Sequence, residues 1–224
     1  MIDKSAYTSI LDELGPGVQL VAVSKTKPAE DIMALYDLGQ RDFGENYVQE
    51  LVDKQASLPG DIRWHFIGHL QSNKVKYIAA FVHLIHGVDS LRLLKEIHKQ
   101  AARHNRTIHC LLQVHIAREE TKYGLDPAEL DEVLQAVATT PQEFTHIRIR
   151  GLMGMASFTE DEGKVQEEFK GLKALFDRHF GKAQSSPDQL FLLSMGMSGD
   201  YRIAIREGGN MVRIGSLLFG KRAG

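Results

Sequence analysis

From Val18 onward the sequence alternates a strand-like apolar run with a helix-like run, eight times over with little between them. The first strand candidate is Val18 to Thr26, followed by a helix from Pro28 to Leu38; Pro28 suits a first turn and Gly39 a stop. The next pairs are Asp42–Glu45 with Val48–Ala56, Arg63–Ile67 with Ser72–Phe81, and Leu84–Val88 with Ser90–Arg103. Thr107–Ile116 then precedes Pro127–Ala138, for which Asp126 is the expected N-cap. Ile147–Met155 with Glu160–Phe180 and Phe191–Met195 with a short helix over Asp200–Arg206 follow, and Met211–Ile214 is the eighth strand. Ahead of them all, Ile2, Ala6, Ile10 and Leu14 share one helical face, which Gly15-Pro16-Gly17 terminates.

Parallel strands need crossover helices, and eight βα units close a barrel. The expected fold is therefore α/β, a (β/α)8 TIM barrel with an extra N-terminal helix in the place of the missing eighth one. A doubly wound open sheet is the competing fold, but the GxGxxG it calls for after the first strand is absent. No linker, low-complexity tract or charge block divides the 224 residues, so one domain over 1–224 is expected.

Composition narrows the function classes. A formal net charge of −2 argues against binding to nucleic acid, which calls for a basic surplus or patch. The single cysteine, Cys110, rules out an intramolecular disulfide and is compatible with a reducing compartment. The segment MIDKSAYTSILDELG lacks the basic and apolar stretches of a secretory signal. No stretch approaches the ~20 apolar residues that span a bilayer. A cytoplasmic protein with no membrane partner is expected.

Barrels of this type place their chemistry at the C-terminal ends of the strands. That rule selects Lys25, Asn46, His69 and the glycine-rich ends of the last three strands. Two-residue alternation puts Lys25 on the inward face with Val21 and Val23. A lysine amine forms Schiff bases with carbonyl cofactors, and burial or nearby cations favour its reactive neutral form. The plainer reading is a rim lysine paired with a carboxylate such as Glu45. Lys27, beside Pro28, reads as a solvated loop charge.

In LSMGMSGD (Leu193 to Asp200), Ser198 and Gly199 would offer a hydroxyl and backbone N–H groups to an anion. In VRIGSLLFG (Val212 to Gly220), Gly215 would let a phosphate approach the backbone, and Ser216 adds an N–H and a hydroxyl. Barrel enzymes often bind phosphate after strands seven and eight, where both segments fall. Arg213 would sit beside that loop, able to bind phosphate or to hydrogen-bond a ring nitrogen; the alternative is an outer salt bridge. RGLMGMAS (Arg150 to Ser157) and LLSMGMSG (Leu192 to Gly199) share a pattern whose glycines imply close approach of a ligand or of a neighbouring backbone. His65 and His69 lack the helical pairing of a zinc site, and no metal is expected.

The motifs VAVSKTKP, FGENYVQE, WHFIGHLQSNK, RGLMGMA, LSMGMSGD and VRIGSLLFG follow one another from about residue 18 to the C-terminus. Together they closely resemble the pyridoxal phosphate homeostasis proteins, a family similar to the barrel domain of alanine racemase, a type III pyridoxal-phosphate fold. The resemblance implies pyridoxal 5′-phosphate held as a Schiff base on Lys25. It implies Ser198, Gly199, Gly215 and Ser216 around the phosphate, Arg213 at the pyridine nitrogen and Asn46 near the ring. Ser216 stands where threonine is expected in many relatives and supplies the same groups. AREETKYG (Ala117 to Gly124) fits the family only loosely and is given no role.

Two functions follow. The first is a carrier in vitamin B6 homeostasis that buffers pyridoxal phosphate or delivers it to dependent apoenzymes, expected to be a monomer. Its motive is that alanine racemase takes a second base from another domain, whereas this sequence ends at the barrel. An arginine-held, unprotonated pyridine is also a poorer electron sink. The second is an amino-acid racemase, with Lys25 as one base and Tyr201 or a mouth histidine as the other. A phosphosugar barrel enzyme without cofactor is a third, weaker reading.

Overall fold

The computed structural model describes residues 2, 4–117, 123–181 and 190–220. Eight parallel strands close a barrel in sequence order: β1 (Gln19–Val23), β2 (Asp42–Glu45), β3 (Arg63–Phe66), β4 (Leu84–Val88), β5 (Ile108–Gln113), β6 (Ile147–Met153), β7 (Leu192–Met197) and β8 (Met211–Ile214). The helices are α1 (Lys4–Leu14), α2 (Ala29–Tyr36), α3 (Val48–Ser57), α4 (Val75–Ile78), α5 (Leu91–Arg103), α6 (Pro127–Thr139), α7 (Glu162–Phe180), α8 (Tyr201–Arg206) and α9 (Ser216–Phe219). Closure is direct: Gln19, Leu20, Val21 and Ala22 pair in register with Met211 through Ile214.

Alternation along each strand sorts the side chains. Leu20, Trp64, Phe66, Ile85, Leu112, Leu193 and Val212 face the helices and belong to the large outer core. Val21, Leu84, Leu111, Met153 and Met211 form a second, separate cluster inside the barrel. Burial of a side chain of this size contributes roughly 1.5–3 kcal/mol. The lumen is not wholly apolar, since His65, His86, Ser194 and Arg213 are also buried; alternation places them on the same inward faces.

The N-terminal helix buries Tyr7, Ile10 and Leu14 and packs against β1 and α9. It thus lies beside the seam where the barrel closes, as expected. The difference is α9, a four-residue turn of helix after β8 that apolar periodicity is too short to reveal. Asp126 does cap α6, its carboxylate accepting from Ala128 and Glu129 N–H while the Glu129 side chain returns the bond.

Three boundaries differ from expectation for physical reasons. β1 ends at Val23, because Lys27 N–H bonds back to Ser24 O and closes a tight turn. The run after β3 is a 3-10 turn (Ser72–Lys74) and a single helical turn, not one helix to Phe81. β7 continues past Met195 to Met197 through a register shift against β8, with Gly196 at φ +91°. Bulges of this kind re-aim the following side chains. Among the described residues no helix is long and apolar enough to cross a membrane.

Candidate functional site at the barrel mouth

A cavity of about 600 Å3 opens where β1, β2, β7 and β8 end, and it is lined by Lys25, Asn46, Ser198, Gly199, Arg213, Gly215 and Ser216. Of the strand-end residues singled out above, all but His69 therefore meet in one place. Other cavities exist, including one of about 430 Å3 over Asn46, Tyr47 and His69. The mouth cavity alone of those described combines a lysine amine, a buried guanidinium and two serines at strand ends.

Lys25 is presented by a turn and not by the strand itself. It is half-buried, and Thr26 after it has φ +62°, a left-handed conformation unfavourable for a β-branched residue. A buried ionic cluster props the turn from behind. Lys54 Nζ donates to Ser24 O at 2.8 Å, to Glu45 Oε1 at 2.7 Å and to Glu50 Oε1 at 2.7 Å. Glu50 in turn accepts from Thr26 N–H at 2.6 Å, and Ser24 Oγ donates to Glu45 at 2.6 Å. Glu45 is thus paired with the Lys54 cation. Burial raises the Glu45 carboxyl, while Lys54 and Ser24 pull it the other way.

Arg213 points into the barrel and is 4% exposed, which removes the outer salt bridge as an alternative. Its Nη1 donates to Ser194 Oγ at 2.5 Å and its Nη2 to Gly154 O at 3.1 Å. Burial brings its pKa down to about 10, with Asp200 opposing, so it remains a cation at neutral pH. Ser198 Oγ accepts from Gly215 N–H at 3.3 Å and ties the β7 and β8 loops together. Asp200 folds the first of those loops by accepting from Met197 N–H at 2.5 Å.

The glycines divide by cause. A Cβ on Gly215 would lie 3.1 Å from Val23 O and 3.2 Å from Val23 Cβ, so the neighbouring strand already requires a small residue at this position. At Gly151, with φ +135°, a Cβ would fall 2.0 Å from Leu192 O, and at Gly196 it would strike Ala204. Of the two explanations for the MGM pattern, close packing of the chain on itself is the one observed. A Cβ on Gly199 would meet nothing within 4 Å.

Several expectations are corrected. Lys27 is no solvated charge: it lines the mouth, and its Nζ caps the end of α9 at Phe219 O (2.9 Å) and Gly220 O (3.4 Å). Tyr201 is 2% exposed and turned away from the cavity, donating its hydroxyl to Glu13 Oε2 of α1 at 2.7 Å. His69 lies to one side, 3.3 Å from Asp89 and stacked on Tyr123. Among the described residues lining the cavity there is no histidine. Met155, Phe158, Met197 and Leu217 line it too, and of these Phe158 and Leu217 were not foreseen. The repeated MGM pattern was the one available signal, for Met155 and Met197. Most of AREETKYG, residues 118–122, lies outside the described residues.

Asn46 carries its own signature: Oδ1 is buried and without a hydrogen-bond partner among the described residues. A buried unsatisfied acceptor calls for an explanation, and a bound ligand is one.

Known proteins resemble this chain in sequence and in fold. Residues 5–223 match the family model "Alanine racemase, N-terminal domain". A pyridoxal phosphate homeostasis protein of Pasteurella multocida is 38% identical over 92% of this chain and 87% of its own length. One from Aquifex aeolicus is 40% identical over 91% and 87%. PipY of Synechococcus elongatus, solved with PLP bound, superimposes with a TM-score of 0.83 at 36% identity, covering 96% of this chain and 99% of that one. An alanine racemase of Bartonella henselae, at 18% identity and TM-score 0.69, shares the fold.

Proposed function

This chain belongs to the pyridoxal phosphate homeostasis protein family, built on the alanine racemase N-terminal domain, and from that premise we propose that it binds pyridoxal 5′-phosphate at the barrel mouth as a carrier. The observation that carries the proposal is the convergence of Lys25, Arg213 and the Ser198–Gly215 loop pair on one cavity. Its volume of about 600 Å3 falls within the ~300–1,000 Å3 of ligand pockets.

The residues fit this group. Pyridoxal phosphate would supply an aldehyde, and Lys25 Nζ, at the end of β1, is the amine that would hold it. Arg213 has no acceptor and stays charged, so a pyridine nitrogen facing it is held unprotonated. Ser198, Gly199, Gly215 and Ser216 provide hydroxyls and backbone N–H groups for a phosphate. Asn46 Oδ1, unpartnered among the described residues, provides an acceptor near the ring. Lys27, anchored to α9, holds that terminal turn against the cavity.

The carrier reading is favoured over racemisation by what the described mouth residues can do. A racemase needs a base on each face of its substrate carbon. The tyrosine offered for the second face is buried against Glu13, and burial together with that bond raises its pKa. Loading, holding and release to pyridoxal-phosphate-dependent apoenzymes, by a single-domain cytoplasmic monomer, completes the proposal. The experiment is to follow visible absorbance while pyridoxal phosphate is added, then to mix the loaded protein with an apoenzyme or with one alanine enantiomer. Reactivated apoenzyme with unchanged alanine supports the carrier; alanine turnover abolished by substitution of Lys25 supports the racemase.

A further inference from the structure

The lumen of the barrel contains a continuous chain of buried polar groups running from its N-terminal end to the mouth. Arg63 forks Asp42 at the start of β2, its Nε donating to Oδ1 at 2.8 Å and its Nη2 to Oδ2 at 2.5 Å. Asp42 Oδ1 also lies 2.9 Å from His65 Nε2 on β3. His65 Nδ1 is 2.9 Å from His86 Nε2 on β4, and His86 Nδ1 is 3.2 Å from Ser194 Oγ on β7. Ser194 Oγ receives Arg213 Nη1 from β8. Both histidines and Ser194 are fully buried.

The ends of this chain fix its direction. Arginine only donates, so Ser194 accepts from Arg213. A hydroxyl has lone pairs enough to accept from His86 as well, and it is the acceptor-only Asp42 carboxylate at the far end that leaves Ser194 to donate to His86 Nδ1. His86 then carries its hydrogen on Nε2 and donates to His65 Nδ1. His65, likewise protonated on Nε2, donates to Asp42, which as a carboxylate only accepts. Every hydrogen points from the mouth toward Asp42, and no other arrangement with neutral rings satisfies every link. Burial holds His86 well below the usual histidine range, and the Arg213 guanidinium reinforces it. Burial raises the Asp42 carboxyl, but its bonds to Arg63 and His65 prevail and hold it below the usual range.

We propose that this polarised chain is a positioning device for the cofactor site, through which Asp42, His65, His86 and Ser194 fix the Arg213 guanidinium. Asp42, at the opposite end of the barrel, is then a positioning residue for the mouth. The consequence for cofactor rests on the function proposed above; the chain and its hold on Arg213 do not. A rival use of the same residues is a metal site, since ligand atoms of Asp42, His65 and His83 lie within 4.8 Å of one another. The Arg63 guanidinium already occupying Asp42 opposes a cation there.

The test is 15N NMR of the unloaded protein at neutral pH. The expected result is a neutral Nε2–H tautomer for both His65 and His86; an Nδ1–H tautomer or an imidazolium at either overturns the proposal. Asp42→Asn replaces the acceptor-only terminus with a group that also donates. His86 should then show mixed tautomers, and the Arg213 guanidinium protons should exchange with water about tenfold faster. Unchanged His86 and Arg213 signals in that variant overturn the proposal. If Asp42→Asn does not fold, Ser194→Ala cuts the chain at its other end, and unchanged Arg213 exchange there is equally decisive. Zinc that binds at micromolar concentration and shifts His65 and His83 together makes this a metal site and overturns the proposal as well. In loaded protein both variants should shift the cofactor's absorption band. A wild-type protein that never takes up pyridoxal phosphate refutes the proposed function while the exchange measurements still judge the chain.

Discussion

Lys54 Nζ lies 2.8 Å from the carbonyl oxygen of Ser24, so a helix residue thirty positions on holds the backbone immediately before Lys25. The same ammonium is shared by Glu45 and Glu50, and Glu50 secures Thr26 on the other side of the lysine. Lys25 is thus mounted on a turn with Thr26 in a left-handed conformation, supported by a buried ionic cluster.

Lys54→Met tests that support. It leaves the fully buried Glu45 carboxylate without its cation, and breaking a buried pair from one side costs about 3–5 kcal/mol. Urea unfolding should show a loss of this size, and the variant should retain pyridoxal phosphate less well in gel filtration. A change below about 1 kcal/mol with normal retention would show the cluster to be incidental.

Stability should fall on mild acidification. Burial and neighbouring His65 bring His83 from 6.5 down to about 4. Between those values the unfolded chain takes up a proton that the folded chain does not. Stability from this group is complete above 6.5 and is lost as pH falls toward 4. His86 and His109, also lowered by burial, act in the same direction. Thermal midpoints should decline steadily from pH 7 to pH 4, and His83→Phe should flatten the decline.

Two glycines should behave oppositely. Gly151→Ala places a Cβ 2.0 Å from Leu192 O at a residue with φ +135°, and about 3 kcal/mol or more should be lost. Gly199→Ala adds a Cβ that meets nothing within 4 Å, and its effect on denaturant unfolding should stay within about 0.5 kcal/mol. Equal effects would contradict the packing explanation of Gly151.

Tyr201→Phe separates structure from catalysis. Losing its bond to Glu13 should cost roughly 1–2 kcal/mol. Cofactor uptake, monitored by absorbance, should be unchanged. A selective loss of alanine turnover in this variant would instead revive the racemase.

The strands that sequence reading placed to the residue, Asp42–Glu45, Leu84–Val88 and Met211–Ile214, are buried along their whole length and sharply bounded. Short runs between clear helix signals are legible even where, as in DFGE, they are not wholly apolar. The mouth residues were legible because a barrel gathers strand ends, which brought Lys25 and Arg213 together across 188 positions of sequence. Lys27, Lys54 and Tyr201 were not legible: each has partners 9 to 193 residues away that only the closed barrel brings near. The polar chain in the lumen was hidden for a related reason. A histidine on an inward strand face reads as a satisfied core residue, and its partners on β2, β4 and β7 are fixed by barrel closure alone.

The central claim is that Lys25 carries the cofactor. The purified protein should be loaded with pyridoxal phosphate, reduced with borohydride, digested and mapped by mass spectrometry, beside Lys25→Ala treated identically. The expected result is one modified peptide, bearing pyridoxyl phosphate on Lys25 and missing from the variant. Modification confined to another lysine, or a protein that stays colourless and unlabelled, would contradict the account.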